Sequence, residues 1–314
     1  MNALNLQTAR VIDPVLTGIA QGYIHAQRVG HILFPTIPVP ASGGTVIEFG
    51  RESFFNYNSR RAPGAAVVRI QFGYEGKPYA LKSFAMDTPI PREFVRDAET
   101  VPGIDLGKRA VNTLMNSFTL TLEIEQATLA TDPANYGGSN KLALTGSDCW
   151  DHEASDPIRD FEDAKEQVRG ACGIDPNRAV IGSKVFNVLK RHPKVVERFK
   201  YTSAESVTAK MLAGLLDLEE LAVGKATYND ETNPAAGFKD ARGNVAVLGY
   251  VPSQDQAMEQ PSFGYTYTLN GHPFVETPRW DGNTRSWVYG ITYERAPQLT
   301  GIASGFLFQT PISE

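Results

Sequence analysis

At 314 residues the chain exceeds the usual size of one domain, so two lobes or one large elaborated domain are expected. Hydrophobic residues at 42% and charged residues at 21% match ordinary globular usage and allow a sizeable core. A net charge of −5 lacks the basic excess of a dedicated nucleic-acid binder, and no apolar run approaches the roughly 18–20 residues that span a bilayer. The segment 1–10 has no charged-then-apolar leader pattern, since its first basic residue is Arg10 and Asp13-Pro14 follow, so folding in the cytoplasm is expected. Cys149 and Cys172 show no CxxC spacing and read as two unpaired thiols.

In chain order, residues 1–44 read as a largely extended arm. Ile12, Leu16, Ile19 and Tyr23 recur at three- and four-residue steps and predict a short helix within 11–28. Pro35, Pro38, Pro40 and the Gly43-Gly44 pair then block any long regular element. Residues 45–91 alternate like strands, with 45–49 opening and 66–72 returning. Between them run Phe54-Phe55-Asn56-Tyr57-Asn58 and the basic tip Arg60-Arg61-Ala62-Pro63-Gly64, a turn suited to the end of a hairpin reaching away from the body. An isolated two-stranded hairpin is marginal in water, so this excursion rests on its own core or on a neighbouring subunit.

Residues 105–131 form the best helix. Asp105 is its N-cap, Val111, Leu114, Met115, Phe118, Leu122 and Leu129 mark one face, and Asp132-Pro133 ends it. At 1.5 Å per residue it is roughly 40 Å long. Over 155–220 short capped helices surround strands. Ser155-Asp156-Pro157 starts a helix to Gly170 that buries Ile158, Phe161 and Val168. A buried strand covers 178–181, Ser183 caps a helix through Arg191, Pro193 starts another to about Phe199, and 205–216 is a further helix. Strands follow at 220–227, 245–251, 263–269, 286–295 and 305–309. One lobe is placed at about 155–260, and a second combines the long helix with the final strands.

The familiar chemical signatures are missing. There is no GxSxG, and Ser183 in Ile181-Gly182-Ser183-Lys184-Val185 is explained as a helix cap. Gly224-Lys225 has Glu219 where a phosphate loop needs its first glycine, and Ala226 follows; no GxGxxG is present. His25, His31, His152, His192 and His272 form no i, i+4 pair, and His152-Glu153 lacks the second histidine of HExxH. His192, between two helices, reads as a capping or surface residue. The acidic run 151–166 reads as a solvated helix face with negative charge near its N-terminus. No catalytic, cofactor-binding or metal residue is assigned, and the chain is not expected to be an enzyme.

The order of elements carries a resemblance. Two stretches hold it best: 173–182 (Gly-Ile-Asp-Pro-Asn-Arg-Ala-Val-Ile-Gly) with 185–195, and the closing strands 287–295 (Trp-Val-Tyr-Gly-Ile-Thr-Tyr-Glu-Arg) with 301–308. With the arm, projecting hairpin and long helix, they resemble the Hong Kong 97-type fold of tailed-phage major capsid proteins over nearly the whole chain. The resemblance implies an α+β fold with an N-terminal arm at 1–44 and an extended β-hairpin loop at 45–88. It further implies a peripheral domain with a spine helix at 89–154 and 261–314, and an axial α/β domain at 155–260. It implies pentamers and hexamers closing an icosahedral shell around double-stranded DNA held by non-specific contact, in the virion. Inter-subunit contact is expected at Arg60, Arg61, Arg69, Phe54, Phe55 and Tyr57. Arg60 and Arg61 either meet acidic groups of an adjacent subunit or form a solvated tip, and the aromatic group packs either on a neighbour's spine region or on itself. A scaffolding segment of about a hundred residues, carried by some members, has no room before residue 45. A separate scaffolding protein is therefore implied, alongside a portal and a decoration protein, with no cofactor and no membrane. Lys77 and Lys82 align with no cross-linking position, so shells without covalent links are expected. The rival readings are a tail or decoration component and a hydrolase with an unrecognised carboxylate site.

Overall fold

Two β-sheets packed against one long helix organise the chain. The computed structural model describes residues 11–48, 60, 67, 69, 75–99, 105–200, 206–229, 232–233, 235, 237–253 and 262–313. The expected arm is, over 11–44, docked on the body. Helix α1, Pro14–Gln21, starts where Asp13 Oδ1 accepts from the Val15 and Leu16 N–H groups at 2.9 and 3.0 Å. Its Ala20, with Leu16 and Ile19, packs against Val111, Leu114 and Met115. Burial of that apolar stripe outweighs the extended tendency of the proline-rich sequence around it. Strand β1, Thr36–Val39, joins a sheet, while Leu33 and Phe34 are fully buried.

Strand β2, Gly43–Glu48, pairs antiparallel with β3, Glu75–Ala80, and β4, Lys82–Pro91, follows. The expected return strand at 66–72 lies outside the described residues except for Val67 and Arg69, which belong to no strand. Helix α2, Arg92–Glu99, was not foreseen. Helix α3, Leu106–Thr131, matches the expected spine: Asp105 accepts from the Lys108 N–H at 3.0 Å, and Asp132 closes the other end.

Strand β5 is Lys141–Ala143 and helix α4 is Pro157–Cys172, with Asp156 as N-cap and Gly173 in the left-handed region after its last turn. Next come β6 (Arg178–Gly182), α5 (Ser183–Leu189), α6 (Pro193–Phe199), α7 (Ala209–Leu215) and β7 (Glu220–Gly224). The short strands β8 (Thr227–Tyr228) and β9 (Lys239–Asp240) pair with each other. The C-terminal part holds β10 (Val245–Gly249), β11 (Gly264–Leu269), β12 (Phe274–Val275), β13 (Arg279–Asp281), β14 (Ser286–Leu299) and β15 (Gly305–Gln309). Ser183 is the first residue of α5, not its cap; Gly182 takes that position without a side-chain bond. Helix α7 is capped by Thr208, whose hydroxyl accepts from the Met211 N–H; of the helix expected over 205–216, residues 206–208 are not helical and 205 lies outside the described residues.

The six-stranded sheet is built on β14, whose 14 residues pair with β4 over 286–295 and with β11 over 295–299. Strands β12 and β13 also pair with β14, and β1 runs parallel to β11. Helix α3 crosses it, seating Phe118 edge-on to Tyr293 at 6.3 Å. The five-stranded sheet has the order β5-β15-β10-β6-β7. It takes β5 and β15 from segments assigned in sequence to the peripheral lobe, because pairing across the sheet, not chain order, decides membership. Its inner strands β15, β10 and β6 are buried on both faces, as their unbroken apolar runs require. Ala179, Ile181, Leu248, Phe306 and Phe308 face helices α4 to α7; Val180, Val247 and Leu307 face Leu33, Phe34, Ala130 and Tyr136.

Candidate inter-subunit surfaces

Of the six residues expected at subunit contacts, Arg60 and Arg69 are exposed, and Phe54, Phe55, Tyr57 and Arg61 lie outside the described residues. The β2–β3 hairpin leads out toward that loop. The structure adds an aromatic surface and a buried junction that the sequence did not point to, and extends the acidic run 151–166 into a second, charged surface.

The first surface is aromatic. Strand register places Ile90, Trp287 and Trp280 in one row across β4, β14 and β13. The two indoles meet edge to face with centroids 5.5 Å apart, yet Trp280 and Trp287 remain 45% and 39% exposed. Phe94, on α2, is 63% exposed. Arg279 beside them is ion-paired to Asp87 and Glu276. Large aromatics held rigid and left in water mark interaction surfaces.

The second surface is charged. Over 146–166 the chain carries eight carboxylates and two lysine or arginine side chains; over 183–200 it carries six such bases and one carboxylate. Helix α4 packs on β15, near one edge of its sheet, and α5 packs on β6 and β7, at the other. Several members are internally paired: Lys194–Asp156 at 3.1 Å, Arg159–Asp163 at 3.6 Å and Arg169–Glu166 at 3.4 Å. Asp160 is half buried; burial raises its pKa, and the Trp150 indole N–H, donating at 2.7 Å, offsets part of that.

The junction is centred on α3. Glu123 is 1% exposed, and its two oxygens accept from the Gly30 N–H at 2.7 Å and from Arg242 Nε at 3.0 Å. One carboxylate thus ties the N-terminal segment, the spine helix and the loop before β10. The site admits no extra atoms: a Cβ on Gly30 would lie 1.9 Å from Gln126 Oε1, and one on Gly224 2.6 Å from Arg242 Cδ. Gln126 donates to Thr266 Oγ1 at 2.8 Å, reaching β11. On another side of α3, fully buried Arg295 pairs with Glu125 at 2.9 Å and lies over the Phe84 ring at 4.6 Å. Burial pulls its pKa down, and Glu125 opposes that. A signal existed in sequence, since Glu123 and Gln126 fall where the stripe Val111–Phe118 should continue.

His192 holds the N-cap position of α6, as one of the two expected roles had it, but makes no side-chain cap bond and is buried and not a surface residue. Its Nε2 lies 3.2 Å from Ser155 Oγ and 3.2 Å from the His152 carbonyl oxygen. Among the described residues Nδ1 has no partner, so no third member of a hydrolytic triad joins the pair there. Among the described residues no group of three or more His, Cys, Asp or Glu side chains could hold a metal ion, and no helix is long and apolar enough to cross a membrane.

The docked N-terminal segment, the β2–β3 pair, the long helix and the two sheets make a mixed α+β fold of the Hong Kong 97 capsid type. The model of the phage major capsid protein E family matches residues 134–241. A major capsid protein of Burkholderia phage BcepMu is 34% identical over 311 residues, covering 96% of this chain and 97% of its own length. A crystal structure of a phage-related protein from Bordetella bronchiseptica RB50 superposes with a TM-score of 0.84 at 43% identity, covering 97% of this chain and 99% of that one. The capsid structure of Cyanophage P-SCSP1u shares the fold at 10% identity, with a TM-score of 0.56 and coverage of 92% and 90%. The chain belongs to the phage major capsid protein family.

Proposed function

We propose that this chain is the repeating subunit of a phage head, assembling as pentamers and hexamers into an icosahedral shell around double-stranded DNA. The full-length match to a major capsid protein carries the reading. The exposed Trp280–Trp287 pair, the loop tip at Arg60 and Arg61, and Arg69 beyond it supply surfaces for copies to meet, with Phe54, Phe55 and Tyr57 packing on a neighbour's spine region. Large obligate interfaces are the physical expectation where aromatics are left uncovered in one copy. Residues 45–88 act as the extended loop and 155–260 as the core of the axial lobe, completed by β5 and β15. The peripheral lobe is formed by the rest of 89–154 and 261–314. Assembly takes place in the host bacterial cytoplasm with a separate scaffolding protein, a portal at one vertex and a decoration protein on the outside. The subunit's role is structural, without catalysis. Negative-stain electron microscopy of the protein expressed alone and with its scaffold tests this. Closed shells, capsomer rings or tubes are expected; compact monomers under both conditions would overturn it.

A further inference from the structure

We propose that neighbouring copies dock by opposite charge, the basic α5–α6 face of one seating on the acidic α4 face of the next. This inference rests on the self-assembly reading and adds to it the surface and the chemistry of contact.

The observations begin with segregation. Eight carboxylates gather over 146–166 and six bases over 183–200. The two helix groups lie side by side on one face of the five-stranded sheet, α4 over β15 and α5 over β6 and β7, and meet where α6 touches α4. Within a single copy the zones touch at Lys194–Asp156, 3.1 Å apart, which is the contact type proposed between copies. Other members have no ionic partner among the described residues: Glu153 and Glu162 on the acidic side, Arg191 and Arg198 on the basic side, all exposed.

Charge then fixes the pairing mode. Two acidic faces repel, as do two basic ones, so a two-fold contact through either face is disfavoured. A heterologous contact joins the unlike faces, and repetition of such a contact closes a ring when the rotation permits. Opposed potentials also steer encounter and reject the wrong register, a useful property where many identical chains meet at once. The occupant of the acidic face is therefore a second copy's basic face.

The test is a charge swap in the full chain, using exposed residues without ionic partners. E153K/E162K cuts the net charge of the acidic zone from −6 to −2, R191E/R198E cuts that of the basic zone from +5 to +1, and the fourfold variant restores unlike charges at the four exchanged positions. Shells are counted by microscopy and sedimentation, and folding is followed by thermal unfolding. Each double variant is expected to lose more than tenfold in shell yield with an unchanged melting curve, and the fourfold variant to regain most of it. Wild-type-like yields from both doubles, or a fourfold variant no better than either while all melt normally, would overturn the charge pairing and leave the capsid reading standing. A wild type that forms no assembly under any condition would overturn the self-assembly reading, and this inference with it.

Discussion

Replacing Glu123 by Gln keeps the size of the side chain and an acceptor for the Gly30 N–H, but leaves Arg242 buried with no counter-charge. Glu123 and Arg242 side chains are each 1% exposed, so water cannot take over. Breaking a buried pair by removing one partner costs about 3–5 kcal/mol. With an unfolding entropy of roughly 2.1 cal/mol/K per residue, about 3 kcal/mol lowers the melting temperature by about 5 °C for a chain of this size. Urea unfolding of the disassembled subunit reads the free energy directly. Arg242→Met alone strands the carboxylate. Combined with Glu123→Gln it removes both charges and keeps the Gly30 acceptor, so the double variant should lose at least about 2 kcal/mol less than the sum of the singles. Additivity within about 0.5 kcal/mol would refute the claim that these two charges hold each other.

Gly182→Ala places a methyl carbon 2.0 Å from the Gly243 carbonyl oxygen, a backbone atom that cannot turn away, and a loss of more than about 3 kcal/mol is expected in thermal unfolding. His272 accepts from the Glu294 N–H through Nδ1 at 3.1 Å, and burial lowers its pKa below the ordinary value, with Glu294 opposing. The unfolded chain then binds the extra proton first as pH falls, so this contribution to stability is complete above about pH 6.5 and fades below it. Urea midpoints at pH 7.5 and 5.5 should differ less in His272→Asn than in the wild type. Burial of Trp280 and Trp287 between copies should shift tryptophan emission to the blue on assembly, and the W280A/W287A variant should fold normally while assembling poorly.

The long helix was legible because its signals are local: a cap at Asp105, a stripe from Val111 to Phe118 and a stop at Asp132-Pro133. Strands such as 178–182 and 305–309 announced themselves as unbroken apolar runs. What stayed hidden depends on distance along the chain. Glu123 meets Arg242 from 119 residues away, and both look like surface residues until the fold closes over them. The docking of 11–44 depended on α3 offering Val111 and Met115 to Leu16 and Ala20, which no local pattern in the arm reveals. Trp287 falls in an expected strand and Trp280 in none, and neither pattern reveals that both stay exposed, since exposure is a property of the finished surface. The acidic run was visible in sequence, but its place beside the basic α5–α6 segment on one face of the sheet required the fold.

Strand β15 lies between β5 and β10, inside its sheet rather than at an edge. The sheet therefore stays split until residues 305–309 have been synthesised and slotted into the gap, with Phe306 and Phe308 completing the aromatic layer against Trp150 and Phe161. A polypeptide released early, short of that strand, would carry an open seam where a finished one has core. Shell building would gain a safeguard from this arrangement: a chain truncated before residue 305 is expected to leave the lobe open and exposed to proteolysis, instead of entering the lattice as a defective tile.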